Sequence, residues 1–154
     1  MKITFLSLLA LLMVKWTHAG TAPATDSAKA VKSLTEFLGL CKKISREKPE
    51  KNSGYFKKAA AFVIYRGSDT KRKWKDFTNP KNKREMSEVE SICYRVHTSV
   101  CKDPGYKITR YKTEEESEGV WHLVYVDYTS DGVIKTAVFA FLKVNNRFGI
   151  GDID

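Results

Sequence analysis

The chain has 154 residues, a formal net charge of +9 and 42% hydrophobic residues. This length fits one domain with its own core better than two. No apolar run after the first twenty residues is long enough to cross a bilayer. The positive charge favours an acidic partner such as anionic lipid, polysaccharide or nucleic acid, and composition alone does not choose among them.

The first twenty residues, MKITFLSLLALLMVKWTHAG, have the composition of a secretory signal peptide. Lys2 supplies the positive start, Ile3 to Val14 form a short apolar run, and Thr17-His18-Ala19 precedes the expected cut. The alternative is an uncleaved membrane anchor, although the run is short for a membrane span. We therefore expect residues 1–19 to be removed and the mature chain to be secreted or periplasmic, where nucleic acid is seldom met.

Residues 20–26 are predicted to form a flexible leader, and a single domain is expected over residues 27–154. Between Ser27 and Arg46 apolar residues recur every three or four positions, which predicts an amphipathic helix capped by Ser27 or Asp26. The apolar positions are Val31, Leu34, Phe37, Leu38, Cys41 and Ile44. A second helix is predicted from Tyr55 to about Tyr65. The β-forming residues 63–65 leave a strand open as the alternative there.

A charged loop is predicted from Ser68 to Lys83, with Trp74 and Phe77 folding back onto the domain. A third helix follows, because Asn82 and Glu85 have the spacing of a capping box. The helical spacing of apolar residues continues to about Val100; these residues are Met86, Val89, Cys93, Val96 and Val100. Residues 103–105, Asp-Pro-Gly, are expected to turn the chain.

After this turn the apolar period changes from 3.6 to 2, which predicts strands. Four are expected, over Tyr106–Thr113, Val120–Tyr128, Ile134–Val144 and Arg147–Ile153. An acidic turn is predicted before the second strand and another turn at residues 129–132. Asn145-Asn146 predicts a tight hairpin, because Asn tolerates positive φ. Helices followed by an antiparallel meander indicate the α+β class.

Three cysteines lie beyond the signal peptide, at Cys41, Cys93 and Cys101. An exported protein meets an oxidising environment, so one disulfide and one free thiol are expected. If the third helix continues to Cys101, Cys93 and Cys101 are roughly 12 Å apart along its axis, which favours a bridge to Cys41. If the helix stops near His97, the pair Cys93–Cys101 stays open. Neither a metal nor any other cofactor is expected, since no Cys/His zinc spacing occurs.

The run VWHLVYVDYTSDGVIKTAVFAFLKVNNRFGIGDID resembles the closing strands of the nuclear-transport-factor-2-like (NTF2-like; SnoaL-like, cystatin-like) superfamily. Proteins of that superfamily end in a hairpin strand of the pattern x-Asn-x-Arg-aromatic-x-Ile-x-x-Ile, which residues 145–153 follow with Phe148 where Trp is more usual. The helix over Ala28–Ile44 is similar to their first helix. The resemblance implies a curved antiparallel sheet wrapped around helices, with a cone-shaped apolar cavity. Isomerases, hydrolases and binding proteins share this fold, so the fold does not fix the function.

In such a cone, one face of the strands would line the cavity. The ligand-cavity residues expected on this basis are Trp121, Leu123, Tyr125, Phe139 and Phe141. Both faces of the strand Val120–Tyr128 are largely apolar, so this strand is expected to be central and covered on both sides.

Three residues are candidates for catalysis, namely Asp127, Tyr125 and His122. An apolar cleft raises the pKa of a carboxyl group towards that of a general base, and a tyrosine can donate to an enolate oxygen. The simpler interpretation places Asp127 in a solvated turn and His122 in the core. Asp152 and Asp154, which share one side of the last strand, are interpreted as its solvated end.

The charge is unevenly distributed along the chain. Residues 42–84 contain 15 Lys and Arg against 4 Asp and Glu, whereas residues 85–118 contain 5 against 8. The run Lys71-Arg72-Lys73-Trp74-Lys75 places an aromatic ring in a basic cluster, which can stack on a base or sit at a lipid headgroup. The alternative interpretation is a solvated loop.

The sequence therefore predicts an exported, NTF2-like α+β binding module, with catalysis disfavoured. The expected ligand is a small apolar molecule or a protein partner, held in the cavity or on a sheet face. Two alternatives stay open, an isomerase- or cyclase-like enzyme and a basic module that associates with anionic lipid or polysaccharide. The resemblance also implies a homodimer, because many relatives of this fold dimerise across the outer face of the sheet.

Overall fold

The computed structural model of the chain describes residues 25–72, 76–102 and 105–154. The predicted signal peptide, most of the leader, residues 73–75 and residues 103–104 lie outside these ranges. Three α-helices precede a four-stranded antiparallel sheet, which confirms the α+β class. Within these ranges no helix is both long and apolar enough to span a membrane.

Helix α1 spans Asp26–Lys42 and buries one face of apolar side chains. The predicted face is confirmed, but both ends differ from the prediction. Thr25 caps the helix, because its hydroxyl oxygen accepts a hydrogen bond from the amide of Ala28 at 3.3 Å. At the other end the amides of Lys43 and Ile44 donate to carbonyls three residues back, which tightens the last turn and ends the helix before Arg46.

Helix α2 spans Ser53–Ala59 and is followed by a 3₁₀ turn over Ala60–Phe62. The predicted continuation of this helix to Tyr65 is wrong, and the strand alternative holds for two residues. Val63 is extended, and the amide of Ile64 donates to the carbonyl of Ile150 at 2.8 Å. These β-branched residues pair with the edge of the sheet, a contact that outweighs their weak tendency to continue the helix.

Helix α3 spans Lys83–Thr98 and begins at the predicted cap. The side-chain oxygen of Asn82 accepts hydrogen bonds from the amides of Arg84 and Glu85. The carboxylate of Glu85 bonds elsewhere, however, accepting from the amide of Asn79 at 2.7 Å and from the guanidinium of Arg72 at 2.8 and 3.0 Å. The capping box is therefore formed only on the asparagine side, and Glu85 fastens the preceding loop to α3.

The four strands pair in the order β1-β2-β3-β4. They span β1 Tyr106–Glu116, β2 Gly119–Ser130, β3 Val133–Val144 and β4 Arg147–Ile153. The acidic residues 114–116 extend β1 instead of forming a turn, because they pair with residues 119–121 of β2. Asn145 and Asn146 both have positive φ, at 48° and 63°, so the predicted tight hairpin is confirmed.

Successive side chains of β2 and β3 point to opposite faces of the sheet. The inner face carries fully buried residues that pack against the helices; these residues include Val124, Val126, Phe139 and Phe141. The outer face carries partly exposed residues; these are Trp121, Leu123, Tyr125, Val138 and Ala140. The expectation that β2 is covered on both sides therefore holds only for its inner face.

The described residues between α2 and α3 cover one end of the outer face, beside the β3–β4 hairpin. Ile64 and Phe77 bridge to each other there and pack with Leu142, Val144 and Trp121. Phe77 thus folds back as predicted, while Trp74 lies outside the described residues. Gly149 permits this close approach, since a Cβ there would come within 2.6 Å of the Ile64 side chain and 2.7 Å of the Phe77 ring.

We expect Gly149→Ala to lower the free energy of unfolding by about 1–3 kcal/mol, because the added methyl group overpacks the contact with Ile64 and Phe77. Gly39→Ala is the matched control. A Cβ at Gly39 meets nothing within 4 Å, so removing a helical glycine there should stabilise the protein by about 0.5–1 kcal/mol. Urea unfolding of both variants measures the effect, and equal free energies for the two would contradict the packing at Gly149.

Candidate functional site

The outer face of the sheet presents an apolar patch that no described helix covers. We call Trp121, Leu123, Tyr125, Val138 and Ala140 the outer-face patch. The register places Leu123 opposite Ala140 and Tyr125 opposite Val138, so these side chains are direct neighbours across the two central strands. All five are partly exposed, whereas the inner-face residues Val124 and Phe139 are completely buried.

Charged side chains border this patch along the edge strand β1. Arg110, Lys112 and Glu114 are exposed and pair with Tyr125, Leu123 and Trp121, respectively. The guanidinium carbon of Arg110 lies 3.7 Å from the centre of the Tyr125 ring, within the range of a cation–π contact. A β-bulge between Ile108 and Arg110 sets which β1 side chains reach this face.

The five residues predicted to line a common cavity do not share a face. Trp121, Leu123 and Tyr125 lie on the outer face, while Phe139 and Phe141 lie on the inner face with no exposed surface. The prediction grouped them because alternation along one strand does not reveal its register with the next. The two phenylalanines are core residues, packed among side chains of the helices and the other inner-face residues.

The structure also separates the three candidates for catalysis. Asp127 and Tyr125 belong to the outer side of β2, and His122 belongs to the inner side. The carboxylate of Asp127 accepts a hydrogen bond from the hydroxyl of Thr136 at 2.7 Å. A groove of about 460 Å³ runs beside Asp127 at the end of the sheet, also lined by Tyr106 and Ile134. Tyr125 does not line that groove, so the predicted Asp–Tyr pair does not converge on one site.

His122 is buried on the inner face and has a tyrosine partner. The hydroxyl of Tyr111 lies 2.6 Å from Nδ1 of His122, and the ring of Phe148 meets the imidazole edge-on at 4.7 Å between centres. Burial lowers the pKa of His122; the nearby Lys143 also lowers it, and Asp26 opposes the shift. A neutral, hydrogen-bonded imidazole of this kind matches the core interpretation of His122.

An ion pair joins the start of α1 to β3 beside this histidine. Both carboxylate oxygens of Asp26 accept from the ammonium of Lys143 at 3.0 Å. That hydrogen bond lowers the pKa of Asp26. Burial raises the pKa of Tyr111, so its hydroxyl stays protonated at neutral pH. Sequence reasoning missed Tyr111, Asp26 and Lys143, because only the tertiary fold brings them next to His122.

The three cysteines are buried and carry free thiols, so the structure does not show the expected disulfide. The thiols of Cys41 and Cys93 form a hydrogen bond, which together with burial raises the pKa of Cys41. Cys101 donates to the carbonyl of Leu38 at 3.6 Å, and burial raises its pKa to about 11. In the described part of the chain, no three His, Cys, Asp or Glu side chains are grouped as metal ligands would be.

The basic cluster at residues 71–75 is only partly described, and Arg72 does not present a free charge. Its guanidinium binds the buried Glu85 through two hydrogen bonds and lies over the ring of Tyr65 at 4.3 Å. The pKa of Glu85 is lowered by this contact. Arg72 is therefore a structural anchor, and Lys71 is an exposed member of the cluster. Asp152 and Asp154 are exposed, as predicted for a solvated strand end.

No family model, no curated protein and no solved structure matches this chain.

The pH dependence of stability tests the burial of His122. Its pKa in the folded chain lies below the value of about 6.5 in an unfolded chain, so the unfolded state takes up more protons as the pH falls through that value. We expect the free energy of unfolding to fall between pH 7.5 and pH 5.5, and to fall less in His122→Gln. Urea unfolding at both pH values measures this difference.

Tyr111→Phe separates burial from the hydrogen bond at His122. It should lower the free energy of unfolding by about 1 kcal/mol at both pH values, because it removes one hydrogen bond, and leave the pH dependence in place. If the wild type and His122→Gln showed the same pH dependence, the structure's placement of His122 would be wrong.

Proposed function

We propose that this chain is an exported, non-catalytic binding module of NTF2-like type, and that it binds a protein partner through the outer-face patch. The observation that carries this proposal is the pairing of two central strands that set apolar side chains next to each other on a face without a helical cover. These outer-face side chains are not needed to form the core, because only the inner face of the two strands packs against the helices.

The arrangement of this surface matches protein interfaces better than small-molecule sites. Interfaces have an apolar centre, a charged rim, and enrichment in Trp, Tyr and Arg. Here Trp121 and Tyr125 lie in the patch, and Arg110 stacks on Tyr125 from the rim. A small apolar ligand instead needs a concave site, and the inner-face rings of Phe139 and Phe141 are already fully buried by the protein itself.

Other parts of the proposal rest on the sequence. The NTF2-like assignment is supported by helices that precede an antiparallel sheet and by the confirmed hairpin at Asn145-Asn146. Export is supported by the signal-like composition of residues 1–19. The resemblance makes a second copy of this chain the first partner to test, because relatives of this fold dimerise across the corresponding face.

The enzymatic alternative has less support than the binding function. It requires a base and a donor that face the same pocket, whereas Tyr125 does not line the groove beside Asp127, and His122 lies on the opposite face of β2. His122 is also 5% exposed and packed against Tyr111 and Phe148, which leaves little space for a substrate beside it.

Site-specific photo-cross-linking tests the binding function. A photoreactive amino acid replaces Leu123 in the patch in one variant, and Lys58 on the exposed side of α2 in a control variant. Illumination of cells that produce the mature chain should give a discrete adduct from position 123 and none from position 58. Mass spectrometry of the adduct then distinguishes a second copy of the chain from a different protein.

A further variant shows whether the adduct depends on the patch. With the photoreactive residue at Ala140, the additional change Tyr125→Glu should reduce the adduct yield at least tenfold, because it places a charge at the apolar centre. The folded state of the variant is checked by circular dichroism. No adduct at positions 123 and 140, or the same adducts at position 58, would contradict the binding function.

A further inference from the structure

A concave groove lies between the C-terminal ends of α1 and α3, on the helical side of the sheet. Its volume is about 490 Å³. Basic and polar side chains line most of it; the lining residues are Lys42, Arg46, His97, Thr98, Cys101 and Lys102. We call it the cationic groove. The outer-face patch lies on the opposite side of the sheet, so the two surfaces are independent.

The three long cations of the cationic groove are not neutralised by the described residues. Lys42, Arg46 and Lys102 are exposed, and none of them forms an ion pair with a carboxylate in residues 25–72, 76–102 or 105–154. A few other cations of the described chain are paired, as in Lys143 with Asp26. No carboxylate from the described ranges lines the groove either.

The negative C-terminal ends of the helix dipoles do not neutralise all of this positive charge. The C-terminal end of a helix carries about half a negative charge, which favours one or two nearby cations. The ends of α1 and α3 together supply about one negative charge by this estimate. Lys42, Arg46 and Lys102 supply three positive charges, which leaves the groove with a net charge of about +2.

His97 adds an oriented ring to the cationic groove. Its Nδ1 lies 3.0 Å from the carbonyl oxygen of Cys41. Since a carbonyl only accepts, Nδ1 carries the hydrogen and donates it. Nε2 has no hydrogen-bond partner among the described residues. The hydroxyl of Thr98 is occupied, because it donates to the carbonyls of Tyr94 and Arg95.

The walls of the groove are fixed by backbone contacts. The amide of Cys101 donates to the carbonyl of Val96 at 3.0 Å, and the Cys101 thiol donates to the carbonyl of Leu38. The first contact closes the end of α3, and the second joins that end to α1. The groove is therefore held open by the fold, and only the long side chains at its rim need to be ordered when a ligand binds.

We propose that the cationic groove binds a phosphate group. A phosphate monoester carries close to two negative charges at neutral pH, which balances the net charge of the groove. Arg46 and the two lysines are the donors that proteins use to bind such oxygens. The phosphate can belong to a small soluble molecule or to the headgroup of an anionic lipid.

The first test is a titration of the mature chain with inorganic phosphate. Binding is measured from the amide chemical shifts by NMR, and chloride keeps the ionic strength constant and serves as the competing anion. We expect saturable binding with the largest shifts around the groove. Replacing Lys42, Arg46 and Lys102 with Gln should raise the dissociation constant at least tenfold. All three side chains are exposed, so this variant is expected to fold normally.

A second triple variant controls for charge. Lys57, Lys81 and Lys83 line another groove, of about 270 Å³, which also contains the carboxylate of Glu90. Replacing these three exposed lysines with Gln removes the same net charge and should change the dissociation constant less than twofold. If both variants weaken binding equally, the attraction is a general property of a basic protein and the proposal is wrong. If the wild type shows no saturable binding, the proposal is also wrong.

The second test identifies the source of the phosphate. Co-sedimentation is measured with phosphatidylcholine vesicles that contain about one fifth phosphatidic acid, whose headgroup is a phosphate monoester. If the wild type and the control variant co-sediment with these vesicles and the variant at Lys42, Arg46 and Lys102 does not, the lipid headgroup is the source of the phosphate. Saturable phosphate binding without vesicle binding identifies a soluble phosphate compound. Both results support phosphate binding in the cationic groove, because each requires the same three cations.

Discussion

The pairing register of β2 and β3 decides which side chains of the sheet are buried and which are exposed. It sets Val124 opposite Phe139 on one face of the sheet and Leu123 opposite Ala140 on the other. A shift by one residue would exchange the two faces and expose the core, so the burial of the inner face holds the register in place. The same register places the apolar residues of the outer face side by side.

The two faces of the sheet pack against different parts of the chain. Helix α1 packs Leu34, Phe37 and Leu38 into the same core as the inner face. Among the described residues, those between α2 and α3 lie over the outer face, and the ion pair of Arg72 with Glu85 joins them to α3. The rest of the outer face, which includes Leu123, Tyr125, Val138 and Ala140 of the outer-face patch, has no such cover among the described residues, while the helical side carries the cationic groove. The sheet therefore separates two chemically distinct surfaces.

Local sequence signals predicted the elements whose stabilising contacts are local. The buried face of α1, the cap at Asn82 and the hairpin at Asn145-Asn146 follow from spacing or from backbone preference. Pairings with particular distant residues were not predicted. Residues 63–64 are extended because they pair with Ile150, which no local pattern reveals.

The same distinction holds for the candidate site. Alternation assigned Trp121, Leu123 and Tyr125 correctly to one face of their strand, but only the register could show that Phe139 and Phe141 lie on the other. The hydrogen bond of Tyr111 with His122 spans 11 positions, and the ion pair of Asp26 with Lys143 spans 117. The exposed apolar centre and its rim therefore became visible only when three strands were aligned.

Methyl relaxation by a soluble paramagnetic agent, measured by NMR on the dilute, isolated chain, tests the central claim most directly. We expect strong relaxation of the methyl groups of Leu123, Val138 and Ala140 and protection of those of Val124 and Val126. Equal protection of both sets in the dilute chain would contradict an accessible outer face, and with it the surface proposed to bind a partner.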